Sequence, residues 1–349
     1  MGRRCRVPRV AVAASPSPGE RSASLPEPPP SPPKERVAMA RVVLVTGVSG
    51  PLAARVAQTL SENPGVGRVI GADSSPPPAG VEGIEYQNVD LHDGSLDRIV
   101  AESGAELVLH LGLDATETSD RADGLLGTLR VLGAAQRSDT VRRLVVRSNA
   151  ALNADDTAEV ERHVHALRRR RPDLSVAVMR LANLIGPSVD TPLTRYMHSR
   201  VVPTVMGRDP RVQFLHEDDG AEALVRMALC EETGVFDACG ADTVPLSHCL
   251  RRVGGQRLPV PARGLRALRG VARHGRIGYA GASAARSVEV GPHVSRLDPA
   301  PLCAALGWAP AYSSIEAFES YAHSRGRAAR GAGLRPIHVL ALARATFGR

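Results

Sequence analysis

The sequence predicts an α/β fold, a doubly wound parallel sheet with a smaller α+β C-terminal lobe, and three observations carry that expectation. Short β-branched apolar runs alternate with stretches of helical spacing over residues 41–187, the rhythm that right-handed strand–helix–strand crossovers produce. A glycine-bearing turn separates the first apolar run from the first helical stretch. The chain, at 349 residues, 43% hydrophobic and 23% charged, has the length and balance of one large or two small soluble domains.

Residues 42–45, Val-Val-Leu-Val, are the first strand, 46–53 the turn and 54–60 the first helix, because the apolar residues pass from a continuous run to helical spacing. A second strand at 68–72 ends at Asp73, and a short extended run follows at 88–91. Residues 107–111, 143–147 and, after Pro172, 175–180 are further strands, with helices at about 124–137 and 158–171 between them. The dinucleotide-type domain is expected over 41–187. Beyond Pro187 the pattern loosens into proline-broken segments at 201–206 and 258–261 and helices near 219–230 and 315–324. This is the smaller lobe, 188–324, part of it returning to the sheet near 212–230.

The ends differ in composition. Residues 1–40 are rich in Pro, Ser, Arg and Ala, with PEPPPSPP at 26–33, and bury too little apolar surface to fold, so a disordered leader is expected. Its apolar stretch at 10–14 is too short for a secretory signal. Residues 325–349 are expected to form a basic tail. The leader holds seven basic side chains against three acidic ones and the tail six arginines without an acid, which leaves 41–324 at −2 of the total +8. Binding to nucleic acid or another polyanion is therefore expected, if at all, only through the ends. No apolar run is long enough to span a membrane. Five cysteines, odd in number and without a CxxC pair, argue against a disulfide framework and a zinc site and for a reducing cytoplasm.

Gly47, Gly50 and Ala53 form a GxxGxxA turn. In a Rossmann-type first crossover such small residues let backbone N–H groups approach a pyrophosphate at the positive end of the following helix. Asp73, at the end of the second strand, is placed to accept hydrogen bonds from an adenosine ribose and to repel a 2′-phosphate, so NAD is expected over NADP. Asp90 closes the extended run within reach of an adenine amino group.

TGVSGPLA at 46–53, NVDL at 88–91, HLGL at 110–113, GTLRVLGAA at 127–135, VMRLANLIGP at 178–187, VQFLHEDD at 212–219 and LGWAP at 306–310 occur in the order of one family. The chain resembles the extended short-chain dehydrogenase/reductases, specifically the NAD-dependent epimerase/dehydratase group, over about residues 41–324. The resemblance implies cofactor contacts at Gly47, Ser49, Gly50, Pro51, Leu52, Ala53, Asp73, Asp90, Leu91, Leu111 and Gly112. The family commonly pairs through two helices, here those at 124–137 and 158–171, so the resemblance leaves a homodimer open, and Arg168 to Arg171 would disfavour that face.

The catalytic pattern departs from that family, whose members use a tyrosine made acidic by a lysine at Tyr-x-x-x-Lys spacing, helped by a Ser or Thr hydroxyl. Lys34 is the only lysine of the chain, and no tyrosine lies between Tyr86 and Tyr196. The preferred register places Asn149 at the hydroxyl position, with Ser148 one residue away, and Gly124 replaces the asparagine of the family's Asn-Val-x-Gly-Thr motif. His163 and His165 occupy the helix where Tyr and Lys would stand; at i, i+2 only one can face a cleft. His216-Glu217-Asp218-Asp219 reads as an acidic turn between the lobes, since four consecutive side chains do not converge on a metal. The expected function is an NAD(H)-binding sensor or non-standard enzyme with an unknown small-molecule partner. The alternatives are an active oxidoreductase or epimerase, on a sugar nucleotide or another carbonyl or alcohol, with a rearranged proton donor, and a polyanion-associated protein.

Overall fold

The structure, a computed structural model, describes residues 41–90, 94–112, 121–149, 154–199, 201–261 and 296–331. The expected leader, Leu91 and the basic tail beyond residue 331 lie outside it. The first half of the described chain holds β1 (Arg41–Thr46), α1 (Pro51–Ser61), β2 (Val66–Asp73), β3 (Glu85–Asn88), α2 (Ser95–Ser103), β4 (Leu107–His110), α3 (Arg121–Arg137), β5 (Arg143–Asn149), α4 (Ala154–Arg170) and β6 (Ser175–Leu181). After it come β7 (Asn183–Ile185), α5 (Pro192–His198), β8 (Val201–Val205), β9 (Arg211–Val212), β10 (Phe214–His216), α6 (Glu217–Leu229), β11 (Gly234–Ala238), β12 (Val244–Pro245), α7 (Leu246–Val253), β13 (Gln256–Val260), α8 (Ala300–Leu306) and α9 (Ser314–Gly331).

Seven strands form one parallel sheet in the order β11-β6-β5-β4-β1-β2-β3. Successive side chains of a strand point to opposite faces, and both faces are apolar here, as a sheet covered on two sides requires. Val43, Val45 and Leu109 pack with Val56 and Leu60 of α1 and Leu224 and Met227 of α6. Leu44, Val108, Leu144 and Val146 pack on the other face with Val131 of α3 and Val164 of α4. The chain leaves β1 for β2 on one side and returns to β4 on the other, so the direction of strand order reverses between β1 and β4. Ligands of open α/β sheets bind outside the carboxyl ends of the strands at such a point.

A third apolar cluster belongs to the C-terminal lobe, with Tyr196, Met197, Phe214, Phe318 and Tyr321 buried together. The lobe is tied to α6 by Asp219, 2% exposed, whose carboxylate accepts the N–H groups of Ala311 (2.9 Å) and Tyr312 (3.0 Å). Asp219→Ala strips two backbone donors of a buried charged acceptor and is expected to cost about 2 kcal/mol, seen as a lower denaturant midpoint; an unchanged midpoint would remove the carboxylate from the lobe's stability.

Several boundaries differ from the sequence reading. The extended run expected at 88–91 lies earlier, as β3 at Glu85–Asn88, and Asp90 follows it. β11 has no counterpart in the sequence pattern. It is an edge strand in which only Phe236 and Ala238 are buried, too few apolar residues to stand out as a run. α6 starts at Glu217 instead of about 219, with His216 as its cap. α9 continues through residues 325–331, the beginning of the expected tail. Among the described residues no helix is long and apolar enough to cross a membrane.

Candidate functional site at the carboxyl edge of the sheet

The turn from β1 into α1 is built on backbone geometry. Gly47 has φ +84° and its N–H donates to Ala72 O (3.0 Å), while Gly50 N–H donates back to Gly47 O (3.0 Å). Gly50 is the N-cap of α1 and provides no side-chain cap, Pro51 follows it, and the first turn holds no acid. The first amide bonded within the helix is that of Ala54, to Gly50 O. The N–H groups of Leu52 and Ala53 therefore precede the helical ladder at the positive end of α1. Across the switch point Gly47 lies on Gly112. A Cβ added to Gly47 would stand 2.4 Å from Gly112 Cα. Leu111 N–H donates to Thr46 O (3.2 Å), which continues the β1–β4 pairing to the edge.

Asp73 ends β2 beside this turn. Its Oδ2 accepts from Ser49 N–H (2.9 Å) and Ser49 Oγ–H (2.6 Å), and its Oδ1 from Ser74 N–H (2.7 Å). The carboxylate is thus held against the turn by the turn's own residues. Val89 N–H donates to Asp73 O (2.9 Å) and brings the exposed Asp90 to the same edge, where Asp90 O accepts from Ser95 Oγ (3.2 Å). Of the cofactor residues read from the sequence, Gly47, Ser49, Gly50, Pro51, Leu52, Ala53, Asp73, Asp90, Leu111 and Gly112 gather at this edge.

Beneath the edge His110 is fully buried between Thr46 Oγ1 (2.7 Å to Nδ1) and Thr128 Oγ1 (3.0 Å to Nε2). Thr128 donates its one hydroxyl proton to Gly124 O (3.0 Å), so Nε2 must carry the proton it offers to Thr128 and Nδ1 accepts from Thr46. The network is satisfied by the neutral imidazole. Burial pushes the His110 pKa down to about 4, and the Arg147 charge adds to the shift.

The candidates for proton transfer fare differently. Ser148 is 2% exposed in the β5 interior, and the side chain of Asn149 lies outside the described residues. His163 and His165 are exposed, on the side of α4 away from Val160, Val164 and Leu167, and His163 Nδ1 contacts Glu159 O of its own helix (2.9 Å). α4 contains neither Tyr nor Lys. The acidic turn diverges: Glu217 binds Ser188 N–H and Oγ, Asp218 pairs with Arg55, and Asp219 caps the backbone of 311–312. Gly186 makes room for the first of these, since a Cβ there would meet the Glu217 carboxylate at 2.5 Å.

Two features escaped the sequence reading. Arg180 of β6 binds Glu161 of α4 through Nε (2.7 Å) and Nη2 (2.5 Å), a pair that spacing alone does not reveal. Arg147, buried within β5 two residues before its end, donates through Nη1 to Leu111 O (3.3 Å). Its one signal was an arginine closing an otherwise apolar run.

Residues 43–159 match the NAD dependent epimerase/dehydratase family. An uncharacterised protein of Mycobacterium tuberculosis (strain H37Rv) is 29% identical over 322 residues, covering 82% of this chain and 84% of that protein, and one of Mycobacterium bovis matches equally. Among solved structures, UDP-glucose 4-epimerase of Thermotoga maritima with UDP-glucose has a TM-score of 0.60 at 17% identity, over 82% of this chain and 99% of that one. UDP-glucose 4-epimerase of Thermus thermophilus in complex with NAD has 0.60 at 18%, over 82% and 99%. The Bordetella bronchiseptica enzyme WbmG in complex with NAD has 0.59 at 16%, over 84% and 96%. At these identities the solved structures share the fold.

Proposed function

We propose, from the match of residues 43–159 to the NAD dependent epimerase/dehydratase family, that the chain binds NAD(H) at the β1–β4 switch point without that family's usual proton-transfer pair. The observation that carries this reading is the Asp73 carboxylate clasped by Ser49 N–H and Oγ beside an α1 N-terminus that has no side-chain cap. A carboxylate accepts about four hydrogen bonds; the fourth on Asp73, from Ser74 Oγ at 3.4 Å, is the longest, and a ribose hydroxyl would take its place. Leu52 and Ala53 N–H would hold the pyrophosphate, Gly47 and Gly112 its floor, and Asp90 the adenine rim. The bound dinucleotide would supply a hydride acceptor or donor.

Proton handling is what the chain lacks. Lys34, its only lysine, stands before β1, and α4 has no tyrosine. The exposed positions of His163 and His165 argue against a proton donor rearranged onto α4. We therefore place the protein as a cofactor-binding sensor or an enzyme of non-standard chemistry. The solved neighbours include complexes with UDP-glucose and UDP-glucuronic acid, so a sugar nucleotide is the second ligand to test.

Calorimetric titration of the full chain with NAD, NADH and NADP is the direct test. NAD(H) is expected to bind tighter than NADP(H), because Asp73 repels a 2′-phosphate. Asp73→Ala is expected to weaken NAD by roughly tenfold, the loss of one charge-assisted hydrogen bond, and to narrow the gap to NADP. If no nicotinamide nucleotide binds, this reading fails.

A further inference from the structure

Asp73 ends β2 with every acceptor position of its carboxylate in use. Each carboxylate oxygen offers two lone pairs. Those of Oδ2 take the N–H (2.9 Å) and the Oγ–H (2.6 Å) of Ser49, and those of Oδ1 the N–H (2.7 Å) and, at 3.4 Å, the Oγ–H of Ser74. The two backbone donors are fixed by the turn and by the end of the strand. The two hydroxyls can rotate away, and they give up different things. Ser74 Oγ lies beyond the ordinary range of an O–H···O bond, whereas Ser49 Oγ has the length of a charge-assisted one. Both serines are exposed, so water can take over either hydroxyl once it is displaced.

A ribose presents two vicinal hydroxyls, and a carboxylate with both oxygens open can bind them one to each. The two oxygens of Asp73 are not equally open. We propose that Ser49 is a specificity-determining residue whose hydroxyl holds the second ribose place on Asp73, so that the site reads one hydroxyl of the adenosine ribose and binds the cofactor more weakly than its acid allows. One ribose hydroxyl displaces Ser74 Oγ from Oδ1 at little cost. The other would have to displace Ser49 Oγ from Oδ2, which exchanges one charge-assisted bond for another with no net gain. Ser49 belongs to the turn, and its N–H donates to the same oxygen, so its hydroxyl competes from within the chain and loses no freedom of association by doing so. The inference rests on the cofactor reading above and deepens it, from which cofactor is bound to how much of its ribose is recognised.

The test is titration of the full chain with ADP-ribose and with its analogues lacking the adenosine 2′- or 3′-hydroxyl. In the unaltered protein, deletion of one hydroxyl is expected to weaken binding about tenfold, the size of one charge-assisted hydrogen bond, and deletion of the other by less than about twofold. Ser49→Ala should bind ADP-ribose about three- to tenfold tighter and become sensitive to both deletions. Ser49→Thr, which keeps a hydroxyl, should behave as the unaltered protein does. In an Asp73→Ala background Ser49→Ala should change nothing, since the place it opens is gone. An affinity that is unchanged or lower in Ser49→Ala overturns the proposal, as does an equal loss from both deletions in the unaltered protein; ADP-ribose binding in either case leaves the cofactor reading standing. Tightening that persists in the Asp73→Ala background overturns it too. Failure of ADP-ribose to bind removes the cofactor reading and this inference together.

Discussion

Gly47→Val is expected to abolish dinucleotide binding and to lower stability by about 4 kcal/mol. Two physical terms combine. Gly47 has φ +84°, where a β-branched residue is strained, and the first added carbon would stand 2.4 Å from Gly112 Cα and 2.5 Å from Gly112 N. Those are backbone atoms at the end of β4, so no side chain can rotate away. Relief requires β1 and β4 to part at the switch point, which moves the Leu111–Gly112 edge and the turn out of register. Gly112→Ala is the graded control: its Cβ would lie 3.2 Å from Gly47 Cα, close but tolerable with a small shift. Denaturant melts and titration with ADP-ribose measure both effects. A Gly47→Val protein with unaltered midpoint and affinity would show that the contact is not the floor of the site.

This contact also marks how far the sequence could be read. β1, the turn and α1 were legible because a continuous apolar run gives way to helical spacing across glycines, two independent patterns in agreement. Asp73 was legible as the acid at the end of the second strand. That Gly47 touches Gly112 was not, because the two residues meet only once β4 lies beside β1. β11 hid for a related reason: at the sheet's edge, with two inward residues, its identity comes from pairing with β6. Arg147 is the reverse case. Its identity was plain, but its burial comes with the pairing of β5 inside the sheet, and arginine is ordinarily exposed. The helix carrying His163 and His165 follows from spacing, while the face it buries is settled by Val160, Val164 and Leu167.

His110 provides the last expected result, a loss of stability between pH 6.5 and pH 4. Folded, the imidazole stays neutral down to about pH 4, held there by burial first and by the Arg147 charge second; its ordinary value is 6.5. The unfolded chain therefore takes up a proton at His110 between these values that the folded chain refuses. Stability is unaffected by this group above pH 6.5 and falls as the pH is lowered towards 4, by about 3 kcal/mol in all. Other groups act in different windows or with the opposite sign. Asp173, bound to Arg171, is lowered to about 2 from 3.8, so it weakens the fold only below about pH 4. Asp219, raised mainly by its own burial, takes its proton earlier when folded and adds stability on acidification. His110→Gln removes the titration and keeps a group able to bond Thr46 and Thr128. Its unfolding free energy should be flatter than that of the unaltered protein between pH 6.5 and 4, and the two curves should run parallel below that range. Parallel curves throughout would mean that the imidazole is already solvated or charged in the folded chain, contrary to its two threonine partners.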